Sequence, residues 1–127
     1  MGSRQENPLE EQSQMSEPRV KVGLWVSAAL RMGDRAGRPG AVLRKGDADA
    51  GGVLAVLRAR AGVMVLSQVR TGDGDPAWLR ATGAEPVDDE TAQTYIDRQI
   101  RRDPDLWVVE FECPDLMPPF EARILPG

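Results

Sequence analysis

The sequence predicts an α+β fold: a mainly antiparallel sheet of 4–5 strands with two helices, in the order β-α-β-β-β-(β)-α-β. Three observations carry that expectation. Val53–Ala59 and Val63–Val69 are Val/Leu-rich runs joined by Arg60-Ala61-Gly62, and the Gly supplies the positive φ of a tight hairpin. Residues 88–102 show a helical apolar period with acids at the start and bases at the end. The other links in the middle of the chain are also of hairpin length, which favours antiparallel neighbours, with both helices covering one face of the sheet.

Taken in order, residues 1–18 are polar and end at Pro18; they read as a disordered tail or an added leader, with Met15 as an alternative start. Residues 19–113 form the expected single domain. Val20, Val22, Leu24 and Val26 alternate with Lys21, Gly23, Trp25 and Ser27, the period of a half-buried strand. Ser27 then stands where it caps a helix running through SAALRMGDRAG, stopped by Gly37-Arg38-Pro39-Gly40. Strand and helix periods overlap around Val26–Ala28, so that boundary stays open. Ala41–Arg44 is a short strand, and Trp78–Thr82 an edge strand after the Gly- and Asp-rich loop 71–76.

The second helix has Asp88 or Asp89 as N-cap and Ala92, Tyr95, Ile96, Gln99 and Ile100 on one face. Asp103-Pro104 stops it, because a residue before proline avoids the helical region. In the last strand Trp107, Val109 and Phe111 alternate with Leu106, Val108 and Glu110. Residues 114–127 contain Pro114, Pro118, Pro119 and Pro126, which exclude a helix and predict an extended C-terminal arm.

Composition excludes several chemistries. With no histidine, Ser-His and Cys-His nucleophile pairs and His-ligated zinc are absent, and the lone Cys113 can form neither an internal disulfide nor a thiolate cluster. Residues 1–18 carry −3 of the net −4, leaving the rest at −1, and the arginines are interleaved with acids. Nucleic acid is therefore not an expected partner. No apolar run approaches the roughly 18 residues of a membrane span, so no membrane is expected and a cytoplasmic setting is.

The densest motif is residues 44–52, RKGDADAGG. Measured against a calcium loop begun at Asp47, Asp49 and Gly52 fall on positions 3 and 6. Gly51 and Arg58 stand where further oxygen ligands belong, and the pattern fails. A phosphate loop wants a helix after its glycines, whereas a strand follows. An Asx-type turn, in which Asp47 or Asp49 accepts backbone N–H bonds, needs nothing more.

LWVSAALR, AVLRKGDADAGGVLAVL and YIDRQIRRDPDLWVVEFE together resemble the DUF1491 family, small alphaproteobacterial proteins of unknown function. The resemblance covers roughly residues 20–113. It rests on Leu24-Trp25-Val26, the 44–51 loop, Trp78 and Asp103-Pro104-Asp105-Leu106-Trp107, and it implies a bacterial cytoplasmic setting but no activity.

If the loop and the Asp103–Trp107 turn share one end of the sheet, Arg44, Asp47, Asp49, Trp78, Arg98, Asp103, Asp105 and Trp107 form one candidate ligand-binding cluster. No catalytic residue, metal ligand or cofactor is assigned. The expectation is a non-catalytic binding or adaptor module for a protein partner, with Met117-Pro118-Pro119-Phe120 as a docking segment and a homodimer left open. The alternative is a small carboxylate- and Mg²⁺-dependent enzyme, or a phosphate-ligand binder, using the Arg44–Gly51 loop.

Overall fold

The computed structural model describes residues 21–72 and 74–126; the tail expected over 1–18 lies outside them. The elements are α1 (Val22–Arg35), β1 (Gly40–Arg44), β2 (Val53–Ala59), β3 (Gly62–Arg70), β4 (Pro76–Arg80), α2 (Asp89–Arg102) and β5 (Trp107–Glu112). The strands form one sheet in the order β1-β5-β2-β3-β4. β5 enters parallel to β2, and every other pair is antiparallel. The fold is α+β, as the composition of its segments predicts.

The first strand is not one. Lys21 is extended and the helix begins at Val22, so Ser27 lies inside α1 and the order is α-β-β-β-β-α-β. Val22, Trp25, Val26, Ala29, Leu30 and Gly33 also recur at i, i+3, i+4, i+7, i+8 and i+11. It is this stripe that packs on the sheet and joins its core. Leu24, the residue a strand reading buries, is 65% exposed. Gly33 permits close packing: a Cβ there would meet the Arg38 carbonyl oxygen and the Phe111 ring.

The helices lie on opposite faces, not on one. α1 packs with Val53, Ala55, Leu57, Met64, Leu66, Trp107, Val109 and Phe111, whereas α2 packs Ala92 and Ile96 on Leu54, Val56, Val63, Val65, Leu106 and Val108. Alternation along β2 and β5 divides each strand between the two clusters. A strand buried on both sides reads as an unbroken apolar run, and VLAVL at 53–57 is one.

Local signals agree elsewhere. Gly62 has φ +136° directly after the Arg60-Ala61 turn of the β2–β3 hairpin. The Asp88 carboxylate caps α2 by accepting the Thr91 N–H at 2.8 Å. The C-terminal arm docks on its own domain rather than standing free. Phe120 is buried between Trp25 and Trp78, with ring centroids 5.0 and 5.2 Å away. Along the outer edge of β4, the Trp78 N–H donates to the Arg123 carbonyl and the Leu125 N–H to the Trp78 carbonyl, each at 2.8 Å.

Candidate functional site

The 44–52 loop and the 103–107 turn meet, and they meet through backbone groups and the Trp107 indole. The Asp47 N–H donates to the Asp105 carbonyl at 3.0 Å, and the Trp107 indole Nε1 donates to the Asp47 carbonyl at 2.7 Å. The Trp107 N–H donates to the Gly52 carbonyl at 2.9 Å. Gly46 and Gly51 make the approach possible: a Cβ on either would run into the Asp105 carbonyl oxygen and the Trp107 ring.

Side chains then close the joint. A bulge in β1 between Val42 and Arg44 shifts the register, pairing Arg44 with Val108. Arg44 donates from one guanidinium nitrogen to the carbonyls of Pro104 (2.8 Å) and Leu106 (2.9 Å). The Asp47 carboxylate accepts the Ala50 N–H at 2.9 Å, the Asx geometry its position suggests. The Asp103 carboxylate accepts the Asp105 N–H at 3.1 Å, and its carbonyl accepts the Leu106 N–H. Four of the loop-and-turn side chains, Arg44, Asp47, Asp103 and Trp107, thus serve the joint itself.

Asp49 faces the other way. It pairs with Lys21 at 3.5 Å, both being well exposed, beside the Gly23 N–H bond to the Ala48 carbonyl that anchors α1 to the loop. Lys21, Asp49, Gly52, Gln68 and Arg70 line a shallow cavity of about 350 Å³ there. The strand reading of residues 20–26 hid Lys21 from this list; a helix reading puts it at the N-cap, next to the loop.

Two predicted members lie elsewhere. Trp78 is 3% exposed in β4, stacked with Trp25 (5.7 Å) and Phe120 on the α1 face. Arg98 stands on α2 and lines a different groove of about 480 Å³ with Ala81, Thr82, Glu90, Thr91, Thr94 and Tyr95. Arg44, Asp47, Asp103, Asp105 and Trp107 are gathered together, Asp49 is at their margin, and Trp78 and Arg98 are not joined to them.

Two further polar groups shape the sheet's surfaces. Arg58 on β2 bridges Glu110 of β5 and Asp89 of α2, and those carboxylates, Glu110 first, raise its pKa further. Burial pushes the Cys113 thiol up, against the opposing pull of the nearby Arg38. A thiol held protonated and out of solvent is a poor nucleophile. Among the described residues no three Cys, Asp or Glu side chains gather as a metal site requires. No helix among them is long and apolar enough to cross a membrane.

The family model of DUF1491, a protein of unknown function, matches residues 20–121. The chain belongs to the DUF1491 family. A crystal structure of a DUF1491 protein from Caulobacter crescentus CB15 is 31% identical. It has a TM-score of 0.75, with 84% of this chain and 100% of that chain covered. An NMR structure of a DUF1491 protein from the same organism is 30% identical, with a TM-score of 0.74 over 84% and 97% of the two chains. Protein Atu0922 from A. tumefaciens shares the fold at 24% identity, with a TM-score of 0.70 over 86% and 98%. No curated protein matches the chain. The DUF1491 match reaches residue 121 and so takes in Phe120, the residue that seats the arm in the core.

Proposed function

We propose that this DUF1491 protein is a non-catalytic binding module, and that it takes an extended segment of a partner protein as an added strand along β1. One observation carries the reading: the two edges of the sheet are treated differently. β4 is covered by the chain's own residues 123–125, whereas β1 has β5 as its one neighbour among the described residues. β1 also presents Val42 and Leu43, 40% and 50% exposed, on that open edge. Unpaired backbone donors and acceptors beside exposed apolar side chains are what strand addition uses: the backbone gives affinity and the side chains give selectivity.

The partner is expected to be apolar at alternate positions. A display selection of random extended peptides against the protein tests this. Enriched peptides should protect amides within residues 40–44 from hydrogen exchange, and Val42→Lys or Leu43→Lys should weaken them by about tenfold. Selected peptides that bind both variants as tightly as the wild type would overturn the reading. So would a stable dimer in solution whose β1 amides are already protected.

A further inference from the structure

We infer that the groove between α2 and the turn after β4 is a second docking site, for an extended peptide segment bearing a basic and an acidic residue about four positions apart. On α2, Glu90, Thr94 and Arg98 follow one another at i+4, and Thr91 and Tyr95, also four apart, run beside them, which puts all five on one continuous stripe. Ala81 and Thr82 form the opposite wall.

The ends of the stripe carry opposite charges that do not satisfy each other. Glu90 and Arg98 are eight residues apart, about 12 Å along a helix at 1.5 Å per residue. Neither has an ion-pair partner among the described residues, unlike Arg38 and Arg58. Position 94, where a lysine would pair with Glu90 one turn on, is a threonine. On another stripe of the same helix the i, i+4 position is used, and Gln93 donates to Asp97 at 2.9 Å.

Between the two charges the lining suits a peptide backbone. The Thr94 hydroxyl both donates and accepts, as a chain of alternating N–H and C=O groups requires, while the Thr91 hydroxyl is engaged by the Asp88 carboxylate. The Tyr95 ring, packed against the α2-side core, supplies apolar surface. An extended chain covers about 12 Å in roughly four residues, at about 3.3 Å each. A small dianion fits less well, because Glu90 opposes a second negative group. The open form of the groove suits a chain that enters and leaves.

The test is titration of the ¹⁵N-labelled full chain with the acetylated, amidated pentapeptide Lys-Gly-Ser-Gly-Glu. Amide shifts should move at residues 81–82 and 90–98, and Arg98→Glu should weaken binding by about tenfold. The same variant should bind Lys-Gly-Ser-Gly-Lys about tenfold better than the wild type does. Val42→Lys should leave this binding unchanged, which separates the groove from the β1 edge. The inference is overturned if the pentapeptide moves no amide at millimolar concentration, or if wild type and Arg98→Glu bind it equally. It is also overturned if acetate or inorganic phosphate alone reproduces the shifts and the peptide adds nothing.

Discussion

The indole N–H of Trp107, at the first residue of β5, donates to the backbone carbonyl of Asp47 at 2.7 Å, tying two segments sixty residues apart. That bond and the two glycines packed beside it turn RKGDADAGG from a solvent loop into a joint between the β1–β2 connection and the helix-to-strand turn. The Asp47 carbonyl has a second donor in the Gly51 N–H at 3.2 Å, but the ring is what sets the distance between the segments.

Trp107→Phe keeps an aromatic ring in the α1-side core and removes the donor. Loss of a half-buried hydrogen bond together with some packing costs about 1–3 kcal/mol. The expected signature is a lower urea midpoint with an unchanged slope, and faster hydrogen exchange across residues 46–51 than across β2 or β3. Exchange accelerated equally everywhere would mean that Trp107 acts as a core residue alone.

Much of the fold was legible because local chemistry and burial agree. The β2–β3 hairpin, the Asp88 cap, the Asp103 stop and the two faces of β5 all follow from residue type and spacing. The start of α1 was not legible. Val22, Leu24 and Val26 satisfy a period of two over a stretch too short to expose the helical stripe, and the deciding contacts come from strands far along the chain. The one-face placement of the helices failed for a readable reason, since VLAVL signals burial on both sides. In the candidate site, the meeting of loop and turn was legible from their shared polar density. The separation of Trp78 and Arg98 was not, because strand order places them and sequence does not reveal that β5 inserts between β1 and β2.

Phe120 tests whether the C-terminal arm belongs to the domain. Its ring lies within 6 Å, centroid to centroid, of Trp25, Trp78 and Phe111, so the arm closes the α1-side core. Phe120→Ala should destabilise by about 3–5 kcal/mol, the usual cost of emptying a buried aromatic site. Near-ultraviolet circular dichroism of the tryptophans should change with it. A loss under about 1 kcal/mol, the level of an exposed position, would return residues 114–126 to the status of a free arm.

Acid should weaken the ends of this structure in a predictable direction. Arg38 grips Asp115 with two nitrogens, at 2.5 and 3.1 Å, and the Met117 N–H donates to the same carboxylate. The guanidinium first, then that N–H, hold the Asp115 carboxyl below its ordinary range, while Asp88 is held low by the Thr91 hydroxyl and then its N–H. A carboxyl whose folded pKa is depressed contributes stability that is fully present above its unfolded value, near about 3.9, and is lost as pH falls through the folded value. Wild type should therefore melt above Asp115→Asn at pH 7, and the gap should close as pH drops from about 4 toward 2. Arg38 stays charged throughout, so the change belongs to the carboxylate. The Asp115 carboxylate is exposed and Arg38 only half-buried, so salt should shrink the pH 7 gap. Melting curves at several pH values and two ionic strengths measure this. A gap that persists undiminished at pH 2 would assign the effect of Asp115→Asn to lost packing in place of lost charge.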